Sequence, residues 1–259
     1  MEEIDMQLTF LGTGARDFTI EDKGTAGFRY WSGALLGEDT LIDCGPYLFE
    51  MAEDAGVDLS QVRTVIVTHR HMDHFSPKSL RRLAENQYIT LCIHENSVYN
   101  LADIPNVSVV PLKLFAHTAL RDMALVAMPA NHSVSPTSSE QPVHYVIHRE
   151  GRTLFWGCDG AWMLNATWHS IKNMRFNLMV LDGTLGDVEG DNRIFEHNNL
   201  RMVHEMAQTF KNQGMIAEGG SIMISHLSKL EHVDQKTLAC NLAKKGLVTA
   251  AYDGLTVNV

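Results

Sequence analysis

The chain has 259 residues, with 21 lysines and arginines against 31 aspartates and glutamates, for a formal net charge of −10. That balance argues against a surface built for polyanions, since the small basic clusters Arg81-Arg82 and Lys244-Lys245 read as solvated helix faces. No run approaches the roughly 18 apolar residues of a membrane-spanning helix, and Cys44, Cys92, Cys158 and Cys240 are too scattered for C-x-x-C chemistry, so they read as free thiols of a cytoplasmic protein.

Along the chain, residues 1–5 are acidic and lack both a basic start and an apolar core, so no secretory signal is expected. Strand-like runs follow at 7–11, 33–36, 40–43, 62–68, 88–94, 107–110, 123–128, 143–149, 153–157, 177–182, 220–225, 247–251 and 255–259. Helical patterns fall at 46–55, 77–86, 161–172, 199–212 and 234–245. Gly37-Glu38-Asp39 joins two of the strands as a hairpin. Pro46 opens the first helix and Gly56 stops it; Asp234 and Gly246 bracket the last. Met202, Val203, Met206, Ala207 and Phe210 mark a core-facing helix. No linker interrupts this mixed α/β pattern, so residues 1–259 read as one domain.

Thr68-His69-Arg70-His71-Met72-Asp73-His74 gathers three of the thirteen histidines on a loop behind a β-branched strand. A solvated loop gains nothing from H-x-H-x-D-H that serine or lysine would not give, so the run points to a metal site. In an extended segment His69, His71 and Asp73 project to one side and His74 to the other, which would let one loop serve two adjacent ions. Imidazole and carboxylate suit zinc and neighbouring first-row metals; without thiolate, a closed structural zinc site is disfavoured.

This pattern resembles the signature of the metallo-β-lactamase-fold hydrolases, and the resemblance continues in order through Ala130-Asn131-His132-Ser133, Gly157-Cys158-Asp159-Gly160 and Ile224-Ser225-His226-Leu227. It implies an αββα sandwich of two facing mixed sheets with metals at one edge. It also implies that His69, His71 and His132 hold one divalent ion, that Asp73, His74 and His226 hold a second, and that Asp159 bridges them. Two Zn2+ or Mn2+ ions, with iron also compatible, are the expected cofactors. Asp43, in Ile42-Asp43-Cys44-Gly45, resembles the family's aspartate that supports the histidine loop by hydrogen bonding, although a plain turn carboxylate would read the same way. Cys158 is read as a small buried side chain.

The second half resembles the family's phosphodiesterase branch, which includes the cyclic-phosphate phosphodiesterase of phosphonate breakdown and the tRNA 3′-processing endonuclease. His197, before Asn198-Asn199, stands where that branch brings an extra histidine to the metals, as a general acid or a charge partner for phosphoryl oxygens. The competing reading has Asn198 or Asn199 capping the next helix and His197 idle. Asp73 and His197 are the candidate catalytic residues. Asp182, ending the run 177–182, joins Asp43 as a supporting or substrate-contacting residue. His94, His117, His144, His148, His169, His204 and His232 read as ordinary structural histidines.

The implied activity is hydrolysis of a small phosphodiester, such as a cyclic phosphate, by a metal-bridging hydroxide. A carbonyl hydrolase of a lactone, thioester or β-lactam would use the same ligands, and a non-catalytic metal-binding protein is the reading from another class. The RNA-processing members carry a long insertion that grips tRNA, which this chain lacks, so nucleic acid is not the expected partner. No membrane partner is expected, and a homodimer is compatible.

Overall fold

A computed structural model describes residues 6–98, 101 and 103–259. The acidic segment 1–5, read above as no secretory signal, lies outside the described residues. The chain first lays down β1 (Gln7–Gly12), β2 (Gly33–Leu36), β3 (Thr40–Ile42), β4 (Thr64–Ile66), β5 (Ile89–His94) and β6 (Val107–Leu112). It then crosses to build β7 (His117–Leu120), β8 (Met123–Pro129), β9 (Val143–Arg149), β10 (Arg152–Gly157), β11 (Phe176–Asp182), β12 (Ile216–Ser225) and β13 (Thr249–Ala250), and returns with β14 (Thr256–Asn258). Two seven-stranded sheets result, in the orders β14-β1-β2-β3-β4-β5-β6 and β13-β12-β11-β10-β9-β8-β7. Both are mixed: β3 to β6 and β10 to β13 run parallel, while the hairpins β2–β3 and β8–β9 are antiparallel.

Alternation along the strands decides the layers. Leu8, Phe10, Ala34, Leu36, Ile42 and Ile66 of the first sheet meet Leu125, Tyr145, Ile147, Leu154, Trp156, Leu178 and Val180 of the second to form the central core. Their neighbours point outward. Leu35, Leu41, Val65 and Leu91 are covered by α1 (Leu48–Asp54) and α2 (Pro77–Leu83). Val126, Phe155, Met179 and Ile224 are covered by α3 (Asn165–Ile171), α4 (Leu200–Asn212) and α5 (Gln235–Lys245). A strand apolar on both faces, such as β11, is what a sheet buried between layers demands. The outcome is the αββα sandwich, helices outside and two sheets within.

The helices begin where their caps dictate. The Ser76 side chain accepts from Ser79 N with Pro77 in the first turn, Asn199 accepts from Met202 N, and Asp234 accepts from Thr237 N. Gly246, at φ 69°, closes α5 in the left-handed cap a side chain would resist.

Some expected boundaries move. The strand expected at 62–68 pairs only over Thr64–Ile66, because Thr68 N turns to the Asp43 carboxylate instead of a neighbouring strand. The helix expected from 161 starts at Asn165, since Ala161 N is held by Asn131 O. β12 starts earlier than expected, and the run at 247–251 shrinks to two residues. β7 escaped the sequence reading because its half-exposed His117-Thr118-Ala119-Leu120 shows little apolar signal.

Candidate metal centre

Six loops converge at one edge of the sandwich, just past the ends of β3, β4, β8, β10, β11 and β12. They carry Asp43, the 69–74 loop, His132, Asp159, Asp182 and His226. Three of these residues, Asp43 (φ 64°), Asp159 (φ 57°) and His226 (φ 60°), hold left-handed backbone conformations that side-chain-bearing residues rarely adopt. Such torsions gather at functional sites, where surrounding packing enforces them.

The 69–74 loop departs from the expected geometry. His74 N and Phe75 N both donate to His71 O, which closes a turn and ends the extended segment at His71. The parity argument that put Asp73 on the side of His69 and His71 therefore fails. His69 and His71 face His132, while Asp73 and His74 face His226. The loop still serves two groups, divided at the turn.

In the first group, His69 Nε2 lies 2.9 Å from His71 Nδ1, and His132 Nε2 lies 3.1 Å from the same atom. The His71 Nε2–H donates to Val134 O at 3.0 Å, which leaves Nδ1 a bare lone pair. Thr68 Oγ1, 2.9 Å from Asp43 Oδ1 and 3.0 Å from His69 Nδ1, donates to the carboxylate and accepts from the imidazole, so His69 Nε2 is bare as well. Burial, together with the charge of His74, holds the His69 imidazole well below its ordinary pKa. Neighbouring lone pairs repel unless a cation sits among them.

In the second group, Asp43 Oδ2 accepts from His74 Nδ1 at 2.7 Å and turns Nε2 inward. His226 is oriented in the same manner. Thr184 Oγ1 is 2.8 Å from both Asp182 Oδ2 and His226 Nδ1, so it donates to the carboxylate and accepts from the ring, leaving His226 Nε2 free 3.4 Å from His74 Nε2. Asp73 Oδ2 lies 3.4 Å from His74 Nε2 and 3.6 Å from His226 Nε2, and buried Asp73 Oδ1 has no hydrogen-bond partner.

Asp159 joins the groups. Its Oδ2 is 3.2 Å from His69 Nε2, 3.2 Å from His74 Nε2, 3.3 Å from His132 Nε2 and 3.8 Å from His226 Nε2. The donors thus form one cluster of His69, His71, His132 and Asp159, another of Asp73, His74, Asp159 and His226, and a third, overlapping one of Asp159, Asp182, His197 and His226. Burial opposes ionisation of Asp73 and Asp159, yet the imidazoles around them hold both well below the usual carboxylate range. Burial opposes the charged form of His74 and His226, but the surrounding carboxylates raise the pKa of both, that of His226 to about 9, so a bound ion would displace a proton from each inward Nε2. Inward-facing imidazoles and ionised carboxylates, buried together, are a donor set that fits divalent cations.

His197 stands one step outward. It precedes the Asn199 cap of α4, but its ring is not idle: Nδ1 lies 3.2 Å from Asp159 Oδ1 and 3.2 Å from Asp182 Oδ2. Burial lowers its pKa, but the two carboxylates overcome that and carry it up to about 11. Asp182 is fully buried and accepts from Thr184 N and Asn198 N, which places it behind His197 and His226 and out of reach of a substrate. Cys158 packs into the central core. Of the histidines read as structural, His148 pairs with Thr153, whereas buried His144 lies against Gly160, where an added Cβ would sit 2.6 Å from its Nε2.

A cavity of about 260 Å³ opens above the clusters, lined by His71, Asp73, His132, Asp159, His197 and His226 and also by Arg16, Asp17, Thr184, Arg193, Glu196, Ser228 and Leu230. Sequence reasoning missed Thr68, Thr184 and Asn198. Thr184 had a signal in the polar turn Asp182-Gly183-Thr184 that ends a buried strand.

A family model described as the Beta-lactamase superfamily domain matches residues 39–217. Several solved structures share the fold. A diphosphatase from the PhnP family is 17% identical with a TM-score of 0.74, covering 99% of this chain and 98% of that one. Zn(2+)-bound PqqB from Methylobacterium extorquens is 15% identical with a TM-score of 0.72, over 98% and 100%. The short form of human tRNase Z is 17% identical with a TM-score of 0.68, over 98% and 99%. No curated protein matches the sequence.

Proposed function

The chain belongs to the beta-lactamase superfamily, and from that membership we propose that it is a metal-dependent hydrolase of a small phosphodiester. The observation that carries the reading is Asp159, whose carboxylate is common to both donor clusters of the 69–74 loop while His197, which forms a third group with Asp159, Asp182 and His226, leans on its other oxygen. His69, His71 and His132 would hold one divalent ion, Asp73, His74 and His226 a second, and Asp159 both. When bound, such ions supply positive charge for the reacting oxygens and acidify water for attack.

The chain's own residues do the rest. Asp43 and Thr184 fix the tautomers of His74 and His226, so that Nε2 faces inward on both rings. Asp73 Oδ1, buried without a partner, can accept a proton from water. His197, whose pKa burial lowers but Asp159 and Asp182 raise on balance, faces the cavity as a proton donor to a leaving oxygen or as a charge partner for a phosphoryl oxygen. A phosphodiester is anionic before attack, whereas an ester or lactam gains its negative charge only in the tetrahedral intermediate, so a cationic His197 would favour binding the former. The PhnP-family diphosphatase and tRNase Z, both with this fold, support the branch. The acidic surface favours a small cytoplasmic substrate over RNA.

Turnover of bis(p-nitrophenyl) phosphate should exceed that of nitrocefin, thioesters and lactones. A lactone, thioester or β-lactam hydrolysed orders of magnitude faster than every phosphodiester would replace this reading with carbonyl hydrolysis.

A further inference from the structure

We propose that Glu196 is the positioning residue of His132, its carboxylate closing onto the His132 Nδ1–H when the cluster of His69, His71, His132 and Asp159 takes up an ion, an inference that rests on the metal-centre reading above. The other inward-facing rings already have a partner on their outer nitrogen. Thr68 Oγ1 serves His69 at 3.0 Å, Val134 O serves His71 at 3.0 Å, Asp43 Oδ2 serves His74 at 2.7 Å and Thr184 Oγ1 serves His226 at 2.8 Å. His132 is the exception. Its Nε2 points inward, 3.3 Å from Asp159 Oδ2, while its buried Nδ1 has no hydrogen-bond partner among the described residues. A ring that offers Nε2 to an ion carries its proton on Nδ1, and a buried N–H without an acceptor is costly.

The Glu196 carboxylate is the acceptor at hand. Its Oε2 lies 3.9 Å from His132 Nδ1, beyond hydrogen-bond reach by about 1 Å. The side chain is 48% exposed and, among the described residues, otherwise unpartnered, so a change of rotamer can cover that gap. The backbone beneath it is held: Glu196 N donates to Arg193 O at 2.9 Å, and the Arg193 guanidinium is fixed between Asp191 and Glu231. A carboxylate on the wall of this cavity repels an anionic substrate unless a donor engages it. Asp17, on the same wall, already accepts from Ser228 Oγ at 2.6 Å, and the His132 Nδ1–H engages Glu196 in the same way. A carboxylate behind a ligand imidazole fixes its tautomer and raises its basicity. Because His197 follows Glu196 directly, the bond also ties the segment that carries His197 to the first cluster.

Zinc affinity, measured by competition with a chromogenic chelator, provides the test. Glu196→Ala should release one of the two ions about 10–100-fold more readily and leave the other unchanged. Glu196→Gln, whose amide oxygen accepts the same bond, should stay within about fivefold of wild type, the gap between a charged and a neutral acceptor. Glu189→Ala, which removes an acid from the same loop where it pairs with Arg201, should match wild type. In proton–nitrogen correlation spectra of the zinc-loaded protein, Glu196→Ala should lose one exchange-protected imidazole N–H signal that wild type and Glu196→Gln both show. Equal affinities in wild type and Glu196→Ala, a full set of protected signals in Glu196→Ala, or a Glu196→Gln that falls as far as Glu196→Ala overturns the assignment and leaves the two-ion centre standing. A wild type that takes up no zinc removes the metal centre itself, and the assignment with it.

Discussion

Replacing His197 by alanine separates catalysis from metal binding. The ring touches Asp159 and Asp182 but belongs to neither cluster built around the loop histidines, and its side chain is 16% exposed. Asp182 would keep three protein donors after the change, Thr184 N, Thr184 Oγ1 and Asn198 N, so the fold and the orientation of His226 should survive. A unit charge about 4 Å from a phosphoryl oxygen, at an effective dielectric of about 20, is worth about 4 kcal/mol. Slight exposure reduces that, which leaves a loss of about 10²–10³ in kcat, within the span usual for a general acid–base group. The assay is steady-state turnover of phosphodiesters graded by leaving-group pKa, with metal content measured on the same samples. A loss concentrated in poor leaving groups identifies proton donation, and an equal loss across the series identifies charge stabilisation. Near wild-type rates throughout, with metals retained, would refute the reasoning and leave His197 a pre-helix loop residue.

The purified protein should hold about two metal ions, and His71→Ala or Asp159→Ala should lose at least one of them together with activity; elemental analysis of a fully active, metal-free protein would end the account. Asp43→Asn leaves the acceptor of His74 Nδ1 impaired and should weaken metal affinity about 10–100-fold, as read by chelator competition, while unchanged affinity would make Asp43 a plain turn residue. Burial lowers the His144 pKa to about 4. Because the unfolded imidazole protonates near its ordinary value while the folded one resists, stability is lost as pH falls from about 6.5 towards 4, by about 3 kcal/mol from this residue. Urea unfolding at pH 7 and pH 5 should show a smaller acid loss in His144→Gln, and an identical loss in both proteins would contradict the assignment.

The strand–loop signal at Thr68 to His74 was legible because a metal loop concentrates rare side chains, and resemblance then ordered His132, Asp159 and His226 behind it. Apolar runs such as β11 marked buried strands, but the two facing sheets were read only from the resemblance, because periodicity does not say how strands are arranged. What the sequence concealed has physical reasons. The turn at His71 that sends Asp73 away from His69 rests on two backbone hydrogen bonds, which leave no mark in residue type. Thr68 and Thr184 act through single hydroxyls and are ordinary strand or turn residues by composition. β7 sits at a sheet edge, where a strand needs no apolar alternation.

The left-handed torsions at Asp43, Asp159 and His226 set folding against chemistry. Each asks a side-chain-bearing residue to hold a conformation that disfavours it by about 1–3 kcal/mol, where glycine would rest without strain. A laboratory selection for thermal endurance could take backbone relief here as at Asn106, Phe115, Arg121 and Glu150, which hold the same torsions away from the site; only at these three positions would accepting it remove a donor or its support. Variants improved in that way should grow more robust as they fall silent, and libraries built for stability do best to hold these codons fixed.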